Sequence, residues 1–222
     1  MKKQDYVLDL IEQLKGTIPY ILDMVKSGNY AEAHDLIDQV FRELVGVSSK
    51  GLVRLTDEDI LRELQSDAQV AWEDKAFYLA TLLKEDADIY EEQEQEDESI
   101  PRYNTAVLLL IHIALNDPER AGEYKGSITE ISTILEEYEL PARTYHMLMR
   151  YFELIGDYAK TEDILYEWLD AEPQALTAES SNPIEAGVAF YERLLQKSDV
   201  ELALGNLPRE EVESALNELT GD

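Results

Sequence analysis

Three basic side chains, Arg143, His146 and Arg150, follow one another at steps of three and four residues. On a helix those steps set them on one face. A guanidinium offers parallel N–H groups that fit a carboxylate in paired, charge-assisted hydrogen bonds. The face is therefore a candidate for holding an acidic group of a partner. Its competition is local. Glu139 and Glu153 are close enough in the chain to neutralise the same cations as ordinary surface ion pairs.

Other residues with chemical potential lack the company that chemistry requires. None of His34, His112 and His146 has a histidine or carboxylate at the spacing of a known zinc motif such as His-Glu-x-x-His. His112 sits in the longest apolar run, Ala106 to Leu115, and reads as a buried, hydrogen-bonded side chain. There is no Gly-x-Ser-x-Gly, no phosphate-cradling Gly-rich loop and no Gly-x-Gly-x-x-Gly. The absence of cysteine removes thiolate nucleophiles, thiolate metal sites and disulfides. Paired carboxylates are too numerous to mark acid–base catalysis. Nine of the fourteen residues 85–98 are carboxylates. That run reads as a solvated helix end and loop, and it lacks the order and the turn glycine of an EF-hand. The expectation is a protein with no catalytic residues, no metal and no cofactor, and hence not an enzyme.

Charge narrows the partners. Lysine plus arginine is 19 against 48 aspartate plus glutamate, a net charge of −29. A fold-wide attraction to nucleic acid or to an anionic membrane is excluded on that balance. The thirteen tyrosines, four phenylalanines and two tryptophans read as core, because no basic field accompanies them as in a base-stacking platform. The ten residues of Ala106–Leu115 are too few to span a bilayer. Asp5, Asp9 and Glu12 interrupt the first apolar segment, so no secretory signal is read there and a cytoplasmic protein is expected. Tyr6, Leu10 and Leu14 form a stripe that either docks on the chain's own core or serves self-association as a homodimer.

The elements that must position these residues are helical throughout. Hydrophobic residues make up 45%, proline and glycine number only seven and ten, and helical spacing recurs where strand-like alternation does not. Helices are predicted over roughly 5–15, 17–27, 30–45, 68–90, 102–115, 127–139, 141–155, 158–171, 183–197 and 208–219, with another opening at Thr56 before Ile60, Leu61 and Leu64 and a short turn capped by Ser198. Ser48–Gly51 is predicted as loop. Ser127-x-x-Glu130 reads as a capping box. Residues 172–182 carry turn formers and little periodicity, and read as a flexible connection to a C-terminal segment, 183–222. The whole chain, 1–222, is taken as one all-α domain of about 9–11 helices.

One pattern occurs three times: tyrosine, a small residue at +3, an aliphatic at +7 and a bulky apolar residue at +10. It reads Tyr30, Ala33, Ile37, Val40; then Tyr103, Ala106, Leu110, Ile113; then Tyr158, Thr161, Leu165, Trp168. All four side chains fall on one helix face, where the small residue admits a neighbouring helix and the larger ones fill the layer between. In this pattern the chain resembles the tetratricopeptide repeat. Residues 142–173 are the best unit, with Gly156-Asp157-Tyr158 at the turn, Thr161 at the small position and Pro173 at the close. Residues 18–41 are a shorter match, and the middle copy keeps its second helix only. The tyrosines are 73 and then 55 residues apart, whereas a regular array repeats at about 34.

The whole chain is also similar to a family of uncharacterised bacterial proteins with tetratricopeptide-like repeats. Asp5-Tyr6, Ile11–Leu14, Gly156–Lys160, Phe190–Leu195 and Leu207–Val212 carry that similarity. It implies a bacterial source and a right-handed stack of degenerate helical hairpins, and no activity. In some peptide-binding tetratricopeptide domains, basic residues on the first helix of a pair hold a partner's carboxylate. By that resemblance Arg143, His146 and Arg150 line a groove, and the expected role is a scaffold or adaptor that binds a peptide or helix of another protein. The alternatives are a self-associating structural protein and an acidic decoy that binds a basic protein.

Overall fold

The computed structural model describes residues 16–66, 71–171 and 182–221, and every regular element among them is helical. Helix α1 covers residues 16–26. It is followed by α2 (Tyr30–Val45), α3 (Ser49–Leu52), α4 (Asp57–Gln65), α5 (Trp72–Glu92) and α6 (Glu96–Asn116). A 3₁₀ turn (Ala121–Tyr124) leads into α7 (Lys125–Leu135), and then come α8 (Ala142–Leu154), α9 (Tyr158–Asp170), α10 (Pro183–Leu194), α11 (Asp199–Leu204) and α12 (Arg209–Thr220).

Local chemistry sets most boundaries. Gly28 takes φ +74°, the left-handed conformation that ends α1 and frees α2 to start. The Thr56 hydroxyl accepts the Asp59 amide, and Asn182 accepts the Ile184 amide, so each caps the helix that follows. At Ser198 the capping box is complete, since its hydroxyl accepts the Glu201 amide while Glu201 accepts the Ser198 amide.

Three boundaries depart from the sequence expectation. Residues 49–52, read as loop, form a turn of helix. Ser48 Oγ accepts the Gly51 amide and Asp38 Oδ1 accepts the Ser49 amide, so two side chains hold what propensity alone would not. Ser127 is inside α7 and caps nothing, because the 3₁₀ turn runs straight into the helix. The acidic segment 85–98 is ordered. It is the end of α5, a tight turn in which Glu94 takes φ +59°, and the first turn of α6. Glu96, Asp97 and Glu98 lie at that amino terminus, where the helix dipole favours negative charge. Pro101 lies inside the helix beyond its first turn, where it has no N–H to donate to the Asp97 carbonyl.

The chain divides into two compact units. The first comprises Met1–Ile113 and Gly126–Leu135. In it α5 packs on α2 and α4, and α3 packs on α2. Ile37, Phe41, Leu52, Ile60, Leu64, Leu79 and Leu83 are buried there. The second comprises Ala114–Lys125 and Glu136–Asp222. Here α8 and α9 form a hairpin through Gly156 and Asp157, and α10 packs on α8, α9 and α12. Phe152, Leu165, Phe190, Tyr191, Leu194, Leu202 and Val212 form its core. Gly187 lets α9 and α12 come close to α10, since a Cβ there would stand 2.8 Å from both Leu165 Cδ2 and Leu219 Cδ1 and those side chains would have to shift. The C-terminal helices are thus part of this unit. Of residues 172–182, which the sequence marks as a flexible connection, 172–181 lie outside the described residues and Asn182 caps α10.

Eleven of the twelve positions of the tyrosine pattern are buried, and Tyr30 is half-buried. Each excluded Leu, Ile or Trp side chain stabilises by about 1.5–3 kcal/mol, so the pattern marks the faces on which the helices pack.

Candidate functional site

Helix α8 is amphipathic. Tyr145, Leu148 and Phe152 are buried on one side, while Arg143 and His146 are half-buried and Arg150 is exposed on another. Pro141 precedes the helix at its cap. Helix α10 buries Gly187, Phe190, Tyr191 and Leu194. Its next face carries Ala186, Ala189 and Arg193, at the same steps of three and four residues that space the basic side chains of α8. The two alanines are short, so the helices leave a gap between them. That gap is a pocket of about 70 Å³, lined by His146, Met149, Arg150, Glu153, Ala186, Ala189 and Arg193. The volume suits one small polar group.

The pocket is cationic in a chain of net charge −29. Burial, and then the charges of Arg150, Arg143 and Arg193, hold the His146 imidazole below the ordinary histidine value. The ring lies against Trp168 of α9, with centroids 6.3 Å apart and planes at 26°. Tyr145 stacks on the same indole at 6.1 Å and 10°. Arg150 Nη1 approaches Met147 Sδ at 3.8 Å, a weak acceptor. Glu153, one of the acids expected from sequence to neutralise this face, pairs instead with Arg193. Nε meets Oε1 and Nη2 meets Oε2, both at 2.7 Å, in the bidentate fork.

The structure therefore brings His146 and Arg150 to one pocket and sets Arg143 within electrostatic reach of it. Arg193 was missed in the sequence. Its only signal was the repeat of the Arg143 spacing along Ala186, Ala189 and Arg193, and no rule of sequence says which face of α10 turns to α8. Tyr6, Leu10 and Leu14, the self-association candidates, lie outside the described residues.

A second polar constellation is buried in the first unit. Asp86, on α5, is 2% exposed, and Arg102, on α6, is 1% exposed. Arg102 Nε donates to Asp86 Oδ2 at 2.5 Å. The Ser49 hydroxyl donates to the same oxygen, and His34 Nδ1 lies 2.6 Å from Oδ1. Burial disfavours the Asp86 anion, but the His34 bond, the Arg102 charge and the Ser49 hydroxyl outweigh it and hold the carboxyl below the ordinary aspartate value. Tyr90 stands 4.2 Å from the Arg102 guanidinium carbon and 4.2 Å from the His34 ring centre. This cluster ties α2, α3, α5 and α6 together. Its serine bonds the aspartate and not the histidine, so the order of a nucleophilic triad is absent. Asp86 falls in the segment read from sequence as solvated. A buried Asp–Arg pair sixteen residues apart leaves no mark in composition.

His112 is hydrogen-bonded, as its sequence context suggested, with Nε2 2.6 Å from Asp57 Oδ2, but it is half-buried where full burial was expected. Among the described residues no three of histidine, aspartate and glutamate gather as metal ligands, and no helix is long and apolar enough to cross a membrane.

Fold and pocket define a class: an all-helical, strongly acidic protein with a small cationic pocket on a helix pair. Over residues 1–222 the sequence matches the profile described as "Family of unknown function (DUF6483)", and the chain belongs to that family. No curated protein and no solved structure matches it.

Proposed function

We propose that this chain is a non-enzymatic interaction module, a scaffold or adaptor that takes an acidic segment of another protein along α8 and α10. The observation that carries the reading is the pocket in which α8 contributes His146 and Arg150 and α10 contributes Arg193. Long-range attraction cannot recruit an acidic partner to a chain of this charge. Recognition is instead short-range, by guanidinium groups that match a carboxylate in shape as well as sign. Physiological salt helps, since charges more than about 8 Å apart are largely screened.

The wider frame of this reading is a degenerate tetratricopeptide-like stack in a bacterial, cytoplasmic protein. It is supported by the α8–α9 hairpin, by its turn at Gly156-Asp157, and by burial of the small and bulky positions of the repeated pattern. The test is binding of a dye-labelled tetraglutamate peptide, followed by fluorescence anisotropy in 0.15 M salt. The wild-type chain should bind it, and Arg150→Glu with Arg193→Glu should weaken binding at least about tenfold. Equal affinity in both proteins would refute the site.

A further inference from the structure

The pocket sets His146 beside two arginines, Arg150 and Arg193, with Arg143 within electrostatic reach, and this bears on how an acidic partner would be held. His146 is half-buried, with the Trp168 indole of α9 against its ring. The charged groups around it are Arg143, Arg150 and Glu153 on its own helix and Arg193 on α10. Glu153 gives its two oxygens to Arg193 and so offsets one of the three guanidinium charges locally. Burial first, and then the three guanidinium charges, favour the neutral ring. A neutral imidazole is a poorer donor to a carboxylate than an imidazolium.

We infer that an acidic group entering this pocket is bound together with a proton, which His146 takes up, so that affinity for the partner rises as pH falls. The inference rests on the reading above, that the pocket takes an acidic partner. An incoming carboxylate adds a negative charge between the ring and the Arg150 and Arg193 guanidinium groups. That charge offsets the repulsion from the guanidinium groups and so favours the imidazolium. The proton comes from solvent, and no bond other than N–H is made or broken. Linkage fixes the sign. The bound-state pKa lies above the free-state pKa, so binding is tighter below the free value and levels off above the bound value. A shift of one unit corresponds to a tenfold change in affinity. Arg143, Arg150 and Arg193 stay charged throughout and contribute no pH dependence of their own.

The experiment uses the full chain and tetraglutamate, whose carboxyls titrate near about 4.3 and so remain charged above about pH 5.5. With only three histidines in the chain, the imidazole Cε1–H resonances of His34, His112 and His146 can be assigned by single substitution and titrated by NMR. Saturating peptide should raise the His146 midpoint by about one unit and leave those of His34 and His112 in place. The dissociation constant should fall about threefold to sevenfold between pH 8 and pH 5.5, since the full tenfold is reached only well below the free-state value. His146→Gln should bind with an affinity that is flat over that range. Binding with an unmoved His146 midpoint and a flat wild-type affinity overturns the proton linkage while leaving the acidic-partner reading intact. Failure of tetraglutamate to bind at any pH overturns both.

Discussion

Replacing Asp86 by alanine tests how the first unit is held together. Asp86 and Arg102 each have side chains 2% exposed, and the carboxylate is the direct counter-charge of the guanidinium Nε. Removing it strands a buried cation, and breaking a buried pair in this way costs about 3–5 kcal/mol. Arg102 keeps part of its coordination, since Nη1 still donates to the Glu98 carbonyl at 2.5 Å and to Glu98 Oε2 at 3.0 Å. Tyr90 also still faces the guanidinium. The lower end, about 3 kcal/mol, is therefore expected. The two tryptophans fall one in each unit, so Trp168→Phe leaves Trp72, at the head of α5, to report on the first unit. With a urea slope of about 2 kcal/mol/M, the midpoint followed by Trp72 fluorescence should drop by about 1.5 M. Adding Arg102→Met removes the stranded charge and should restore at least about 1 kcal/mol relative to Asp86→Ala alone. A cost below about 1 kcal/mol for Asp86→Ala, or a double variant weaker than the single one, would refute the role given to this pair.

The same pair gives a pH signature. The Asp86 carboxyl titrates below its unfolded value of about 3.9, so its contribution is complete above that pH and is lost as pH falls through the lower folded value. The stability gap between wild type and Asp86→Ala should narrow below about pH 4 in acid titrations followed by circular dichroism; a constant gap down to pH 2 would contradict the charge state. Gly205→Ala should destabilise the second unit by about 2 kcal/mol, because the new Cβ meets the Tyr158 ring and comes within 2.8 Å of the Gly156 carbonyl oxygen. Thermal unfolding of that variant at the wild-type temperature would show the close approach to be unimportant. Ser198→Ala removes the capping box of α11 and should cost about 1 kcal/mol in urea unfolding reported by Trp168. Glu153→Gln releases the Arg193 fork from its internal carboxylate and should strengthen tetraglutamate binding by about two- to fivefold in anisotropy titrations; weaker binding would mean that Glu153 positions Arg193 and does not compete for it.

Much of the fold is legible in the residues because short-range rules decide it. Gly28, Thr56, Gly156, Asn182 and Ser198 act on their immediate neighbours, and the helices they delimit fall close to where sequence puts them. The tyrosine pattern likewise names buried faces before any partner helix is known. What sequence conceals is contact at long range. Asp86 looks like one more acid in an acidic run, and only the approach of Ser49, Arg102 and His34 makes it a buried hub. Asp86 alone of the acids in 85–98 departs from the solvated reading, for that reason, and Ser48–Gly51 departs from the loop reading because Asp38, eleven residues before Ser49, completes the turn. At the pocket, the periodicity of α8 gave Arg143, His146 and Arg150. The fourth cation and the pairing of Glu153 depend on how α10 crosses α8, which Ala186 and Ala189 permit but do not announce.

The central claim is that a chain of net charge −29 holds an acidic group at one small cationic pocket. Its most direct measurement is a side-by-side titration of dye-labelled tetraglutamate and tetralysine in 0.15 M salt at pH 6. Saturable tetraglutamate binding, lost in the Arg150→Glu/Arg193→Glu variant, is the expected result. Saturable binding of tetralysine alone, unchanged in that variant, would contradict the claim and turn the protein into a ligand for basic partners.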